Sequence, residues 1–387
     1  MSSWNRQKVR APGRVNLIGE HTDYNDGLVL PAAIDLEITI DFVATDDLMV
    51  DLTLARTGER AVIDLDKRAT PEAGRRGDWT DYVAGTAWGL RMAGARPRGF
   101  AGVLESNLPI GQGLSSSAAL ELASAWALSG GQPPLVTGDP PRLDRMALAR
   151  ACQRAENEYA GVPCGILDQF AVAFGIDGAA LLLDCRSLDH RPVRLPPGVA
   201  VLIAESGVTR GLLDSEYQAR RRECDAAAAT LAEIEPAVRS LRDATPELLD
   251  RARGRIDEVL LRRARHVVSE NARVLATVQA FEAADPAAAG RELLAGHASL
   301  RDDFEVSLPE LDRLVEVAAA QPGAFGARLT GGGFGGAVVV LADAGAADAV
   351  RDGIRTDYQT ATGDPPIVHR VHASDGAGPL PRPTDAR

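Results

Sequence analysis

Short apolar runs separated by turn-forming clusters fill the first fifty-five residues. KVRAPGRVNLIG (8–19), GLVLPAAIDLEITIDFVA (27–44) and LMVDLTLA (48–55) are rich in β-favouring residues and bounded by Gly, Pro or Asp, and each predicts a strand. The pattern then lengthens. WTDYVAGTAWGLRMA (79–93) predicts a helix, and GFAGVLESNLP (99–109) a strand leading into a loop. A second helix starts near Ser115 and stops at Gly130 and Gly131. Beyond the loop GQPPLVTGDPP, the stretch RLDRMALARACQRAENEYAG predicts a third helix that ends before Val162 and Pro163.

Two further strands, GAALLLDC (178–185) and VAVLIAE (199–205), precede a stretch from about Asp214 to Ala284. That stretch is rich in Ala, Arg, Glu and Leu at helical spacing and predicts a helical hairpin or small bundle. Strands return around ARLTGGGFGGAVVVLAD, and the Pro- and Gly-rich tail is expected to fray from about residue 374. The pattern breaks at HRPVRLPPG (190–198), and no internal repeat is seen. The chain therefore reads as α+β with two domains, 1–190 and 191–387.

With 387 residues, 45% of them hydrophobic and 25% charged, the chain can bury a large core, which excludes a disordered segment or a disulfide scaffold. Its 42 Lys and Arg against 54 Asp and Glu leave a net charge of −12, so nucleic acid and anionic membranes are not expected partners. The four cysteines form no CxxC pair, which points to a reducing compartment and away from structural zinc. The N-terminus lacks a signal-like apolar stretch, and runs such as AVVVLA fall short of a membrane span. A soluble cytoplasmic protein is expected. Lys8 and Lys67 are the only lysines, and neither stands in a Walker A loop; the HRD and DFG signatures of protein kinases are also missing. Any nucleotide must be held another way.

Four segments concentrate chemistry. In PIGQGLSSSAALELA (109–123), spaced glycines and three serines lead directly into an Ala-rich helix, which makes an anion site from amides and a helix N-terminus without lysine. An ordinary serine N-cap would account for one of those serines. In PGRVNLIGEHTDYNDG (12–27), Arg14, Glu20, His21 and Asp23 offer donors and acceptors to a polyhydroxylated ligand, whereas Asn25, Asp26 and Gly27 read as a solvated turn. In QRAENEYAGVPCGILDQFAVAFG (153–175), Glu156 lies on the polar side of a helix and Asp168 among apolar neighbours; Asp168 fits a general base held ionised by a cation and equally a helix-capping aspartate. In RLTGGGFGGAVVVL (328–341), five glycines in six positions favour close approach to phosphates or substrate over a plain turn.

Taken in order, GRVNLIGEHTDYNDG, WTDYVAG, GLSSSAALELA, AENEYAGVPCGILDQ, SEYQARRREC, LRDDFEVSLPELD and LTGGGFGG resemble the GHMP kinase superfamily and, within it, the galactokinase family, over nearly the whole chain. The resemblance implies a mixed α/β N-terminal domain and a ferredoxin-like C-terminal domain with the active site between them. It implies that Glu20, His21 and Asp23 hold sugar hydroxyls, with Tyr217 and the backbone near Gly165 completing that pocket. Gly111, Gln112, Gly113, Leu114, Ser115, Ser116 and Ser117 would wrap the phosphates of ATP, Ser117 and Glu156 would bind Mg²⁺, and Asp168 with Arg14 beside it would be catalytic. The implied reaction is phosphoryl transfer from MgATP to the anomeric hydroxyl of α-D-galactose, by a monomer, with a dimer left open.

Three departures stand out: Glu205 before Ser206, where the family has Asn or Asp before Ser or Thr; Leu167 for Met; and Ser307 for Cys. The last two read as core swaps, whereas a longer carboxylate near a sugar pocket would change which hydroxyl pattern fits. The alternatives are a related C1 kinase acting on N-acetylgalactosamine, galacturonate or L-arabinose, and a galactose-sensing regulatory protein. Arg14 is the one clear anion clamp, which disfavours an acidic sugar, and the presence of Asp168, Arg14, the three serines and Glu156 favours an enzyme.

Overall fold

The computed structural model describes residues 6–109, 111–208 and 213–381, the side chains of 213–215 excepted. Strands β1 (Gln7–Asn16), β2 (Leu28–Val29), β3 (Pro31–Ala44), β4 (Met49–Leu54) and β5 (Arg60–Asp64) come first, followed by a short α1 (Pro71–Gly74), α2 (Thr80–Met92), β6 (Phe100–Ser106) and α3 (Ser116–Leu128). A small hairpin, β7 (Val136–Thr137) and β8 (Arg142–Leu143), leads to α4 (Arg145–Arg154), which runs into a π-helical turn over Ala155–Ala160. Then come α5 (Leu167–Phe174), β9 (Ala179–Asp184), β10 (His190–Arg194) and β11 (Val199–Glu205). The second half continues with α6 (Leu213–Ile234), α7 (Pro246–Ala252), α8 (Glu258–Glu282), α9 (Pro286–Asp302) and α10 (Pro309–Ala319). It closes with β12 (Ala324–Thr330), β13 (Ala337–Asp343), α11 (Ala347–Thr362), β14 (Val368–Val371) and β15 (Gly378–Pro379).

The first half holds a six-stranded sheet in the order β15-β1-β3-β6-β4-β5 and a three-stranded sheet β10-β9-β2. The β1–β3 pairing slips in register between Pro12 and Arg14. Such a bulge turns the strand and re-aims a side chain, and here the residue just past it is Arg14. Gly13 lies against the Leu108 side chain and the Leu114 carbonyl, where a Cβ would collide, and Arg14 N–H donates to the Leu114 carbonyl at 3.2 Å. The glycine-and-serine loop is thereby seated on β1.

The second half carries an antiparallel sheet in the order β12-β13-β11-β14. Numbered by occurrence that is 2-3-1-4, with helices between the first and second strands and α11 between the third and fourth, which is the ferredoxin-like arrangement. Alternation along these strands divides their side chains between two cores. Val201, Ile203, Ala337, Val339 and Leu341 join the core of the first half, while Leu202, Ala204, Val338, Val340 and Ala342 pack with α10, α11 and the other helices of the second. Burial on both faces is why AVVVLA is continuously apolar.

Several expectations give way. The third helix begins at Arg145 after β8 and its last turn is π-helical; the bundle from Asp214 is interrupted, with helix resuming at Pro246 and Glu258. Residues 190–194, expected to lie at a boundary, form β10 against β9. The tail does not fray at 374: Gly378 and Pro379 pair with Arg10 and Val9, and Leu380 N–H donates to the Lys8 carbonyl at 2.8 Å. Its last six residues, like residues 1–5, Ile110 and 209–212, lie outside the described residues. Among the described residues no helix is long and apolar enough to cross a membrane.

Helix α9 meets β12 backbone to backbone, because a Cβ on Gly290 would collide with the Phe325 carbonyl and one on Gly326 with the Gly290 carbonyl. Gly290→Ala is therefore expected to cost about 1–3 kcal/mol or more, read as a lowered denaturation midpoint.

Candidate active site

A cleft of about 340 Å³ lies where the strands of the first half meet the glycine loop of the second, lined by residues of β1, α3, the π-turn, α5, α6 and the 331–332 loop. One wall is the N-terminus of α3. Its N-cap, Ser115, sits at φ 57 and makes no side-chain capping bond. Among the described residues its Oγ is buried without a partner. An ordinary serine cap is thus ruled out, and the first amides of a thirteen-residue helix face the cleft together with Ser116 and Ser117, ready for an anion. Gly111 and Gly113, at φ 76 and 77, make the turn that brings the loop there.

On the floor, Arg14 grips Asp168, with Nε at 2.8 Å and Nη2 at 2.6 Å from Oδ1, while Nη1 donates to the Gly113 carbonyl. Asp168 stands in the first turn of α5, whose N-cap is Ile166 without a side-chain bond, so it is not a cap. Glu156 comes from the π-turn, a distortion frequent at functional sites. It accepts only from neutral groups: the Ser117 hydroxyl, Gln169 Nε2 at 2.5 Å and Cys164 Sγ at 3.3 Å. Burial, and then the nearby Asp168, push its carboxyl up to about 7. Gln169 also donates to Glu121 at 3.1 Å, a wholly buried acid raised well above its usual range by burial and by Glu156. Glu156 and Asp168 line this corner of the cleft with Ser117, Glu121 lies buried behind them, and among the described residues no group of three acids, histidines or cysteines is arranged to hold a metal by itself. Such an oxygen-rich, charge-deficient corner suits a hard divalent cation.

The opposite wall is the turn after β1. Thr22 Oγ1 donates to the Gly19 and Leu28 carbonyls at 2.8 and 2.6 Å, and Asn25 Nδ2 to the His21 carbonyl at 2.8 Å. Asn25 and Gly27 are buried, so the expected solvated turn is instead a rigid loop. His21, at φ 63, is held by the Tyr24 hydroxyl 2.9 Å from Nδ1 and packs against Phe304 and Tyr217, with ring centroids 4.6 and 5.7 Å away. Burial holds its imidazole well below its usual pKa, hence neutral. Asp23 is pushed up to about 6, first by burial and then by Asp168 across the cleft. Glu20 is pushed up to about 7 by burial, against the pull of Arg328. Gly165 lies so close to the Asp23 carboxylate that a Cβ would collide with Oδ2.

The galactokinase galactose-binding signature matches residues 4–42, the GHMP kinase N-terminal domain 81–176 and the GHMP kinase C-terminal domain 277–360. The chain is 43% identical over 370 residues to galactokinase from Roseiflexus sp. (strain RS-1), covering 96% of this chain and 92% of that protein. It belongs to the galactokinase family. Galactokinase from Lactococcus lactis, solved in complex with galactose, superposes with a TM-score of 0.88 at 35% identity over 97% of this chain and 95% of that one. Mevalonate kinase from Methanococcus jannaschii shares the fold, with a TM-score of 0.68 at 18% identity over 96% and 100% of the two chains. The protein is an ATP-dependent sugar kinase of the GHMP fold.

The cleft of this kinase gathers Arg14, Glu20, His21, Asp23, Gly111, Gly113, Leu114, Ser115, Ser116, Ser117, Glu156, Gly165, Asp168 and Tyr217. Gln112 is buried and does not line it. Glu205 does not line it either: its carboxylate pairs with His369 Nε2 at 2.5 Å, on the neighbouring strand β14, so it has no direct hold on a ligand. Ser307 is not an apolar substitute but donates to Asp312 at 2.6 Å, whereas Leu167 does sit in the core, at the cleft edge. Gly331 and Gly332 of the glycine run also line it, and Asn16, Tyr82, Val162, Pro163, Cys164 and Gln218, which were not singled out from the sequence, complete the lining; all of these six but Val162 and Pro163 carry polar atoms within motifs already noted, a signal that was available.

Gly165→Ala is expected to displace Asp23 and raise KM for the sugar at least about tenfold, with kcat changed less, since misplacing a ligand group by an ångström weakens positioning sharply. Steady-state kinetics with the sugar varied checks this.

Proposed function

We infer that the enzyme transfers the γ-phosphoryl group of MgATP to the anomeric C1 hydroxyl of α-D-galactose, giving α-D-galactose 1-phosphate and ADP. The observation that carries this reading is the Arg14–Asp168 pair, set between an uncapped helix N-terminus on one side and a wall of hydroxyl-binding side chains on the other. Glu20, Asp23, His21, Tyr217 and the backbone at Gly165 orient the sugar; residues 111–117 hold the phosphates. Asp168 accepts the C1 hydroxyl proton, and Arg14 holds that carboxylate in place and stabilises charge as the phosphoryl group moves. Aspartate is a weak base, so positioning and electrostatics supply most of the rate.

Ser117 and Glu156 would hold Mg²⁺, and their neutral-donor surroundings fit it. That ion, when bound, neutralises phosphate charge. Among the described residues Arg14 is the only arginine or lysine lining the cleft, which favours a neutral sugar over galacturonate. This reading divides the labour between the first half, whose sheets take in β10 and β15 although the boundary was expected at 190/191, and the second half from β11 onward. All four cysteines are unpaired, in keeping with action in the reducing cytoplasm.

The first test is ³¹P NMR of the enzyme with MgATP and galactose, N-acetylgalactosamine, galacturonate, arabinose or glucose. A sugar 1-phosphate signal that grows much faster with galactose is expected; no product from folded, ATP-binding protein would leave the sensor reading. Asp168→Asn is expected to lower kcat by about 10²–10⁴-fold with ATP binding kept. Arg14→Lys is also costly, because an ammonium cannot reproduce the fork that spans Asp168 and the Gly113 carbonyl. Because Glu20 and Asp23 must be ionised to accept most strongly from hydroxyls, KM for galactose rises as pH falls through about 7 and about 6. A KM flat across that range would remove the two carboxylates from the sugar site.

A further inference from the structure

Behind the sugar wall lies a charge cluster that the reaction does not use directly. Arg328, near the end of β12, is wholly buried, and its Nη2 lies 2.6 Å from Glu20 Oε2 and 2.7 Å from Glu270 Oε1. Glu270, on α8, accepts from Gly19 N–H at 2.9 Å and from Arg273 Nε at 2.7 Å. One turn earlier on α8, His266 Nε2 lies 3.1 Å from the Glu20 carbonyl and Nδ1 lies 2.9 Å from Ser299 Oγ. The other Glu20 oxygen, Oε1, faces Gly331 N–H at 3.4 Å. Three successive groups of the sugar turn, the Gly19 amide, the Glu20 side chain and the Glu20 carbonyl, are thus tied to the second half of the chain. The turn needs such ties, since Gly19 and His21 both sit at positive φ, 104° and 63°.

A buried ion cluster is weak grounds for stability, because packed apolar side chains hold a core as well. What apolar groups cannot do is fix a carboxylate's direction. A cation set between two acids does hold a carboxylate in place: one nitrogen of Arg328, Nη2, lies within ion-pair distance of both Glu20 and Glu270, and space for the guanidinium is kept by Gly296, where a Cβ would collide with Nη1. We propose that Arg328 is a positioning residue for the sugar: by bridging Glu20 and Glu270 through one nitrogen, it fixes where the Glu20 carboxylate and the turn that presents His21 lie. Arg328 touches no substrate and serves sugar binding, leaving MgATP binding and the chemical step to the other half of the cleft. This rests on the reading of Glu20 as a sugar ligand.

The test measures galactose binding by titration calorimetry without nucleotide, alongside KM for each substrate, kcat and thermal melting, in wild type and in Glu20→Gln, Arg328→Met, Arg328→Lys and Gly296→Ala. Arg328→Lys keeps the charge but moves the nitrogen that bridges the two acids, and Gly296→Ala pushes on the guanidinium without removing it, so either decides the matter where Arg328→Met fails to fold. Each folded Arg328 or Gly296 variant is expected to bind galactose about ten- to a hundredfold more weakly, with kcat and KM for MgATP within about threefold, and Glu20→Gln is expected to weaken galactose binding at least as much. Adding Arg328→Lys to Glu20→Gln is expected to weaken galactose binding little further, because both act through one carboxylate. Wild-type galactose affinity in a folded Arg328 or Gly296 variant, or equal losses in kcat and in both KM values, overturns the proposal. If Glu20→Gln itself binds galactose normally, it is the reading of Glu20 that fails. Weakened binding in Glu20→Gln with none in Arg328→Lys removes Arg328 alone.

Discussion

One guanidinium shared by two carboxylates across the seam between the halves organises the site. Arg328 comes from the second sheet, Glu270 from α8 and Glu20 from the turn after β1. Their partners set the two acids apart. Both meet Arg328 and a backbone amide, but Glu270 also has Arg273 and is held well below its usual range, whereas Glu20 lacks a second arginine among the described residues and is pushed up to about 7 by burial. Neither environment exists until the halves are packed together. The sugar wall is accordingly a product of the seam and belongs to neither sheet alone.

A second guanidinium plays the matching part on the other side of the cleft. Arg14 ties Asp168 of α5 to the Gly113 carbonyl of the loop before α3, and the bulge in β1 aims it there. Between these two arginines the structure leaves polar groups uncompensated: α3 begins without a side-chain cap, and among the described residues Glu156 has no cationic partner. A buried hydroxyl without a partner, such as that of Ser115, and a buried carboxyl held by neutral donors are costly in a fold that binds nothing. They are useful in one that binds phosphate, a cation and hydroxyls.

Much of this was legible along the chain. The motif positions that gather at the cleft could be named because glycine, serine and acidic residues occur there at densities that turns and caps do not need. The elements that were missed have identifiable reasons. Helix α9 was not anticipated, and it runs through Gly290 and Gly296, where β12 and Arg328 occupy the space a side chain would take. The π-turn that carries Glu156 has the same local pattern as the α-helix it extends. Glu205 lies beside a pocket motif in sequence but pairs with His369, a partner 164 residues away.

By itself the sequence determined the strands and helices with strong periodicity, the acidic balance, the glycine-and-serine loop and the identity of most groups that line the cleft, since each rests on local pattern or residue chemistry. Only the tertiary structure decided that the tail returns to edge the first sheet, that Asp168 is held by Arg14 and caps no helix, and that Glu20 is directed from the far half. Those outcomes depend on contacts between residues more than a hundred positions apart, where burial and charge pairing, and no local propensity, select the conformation.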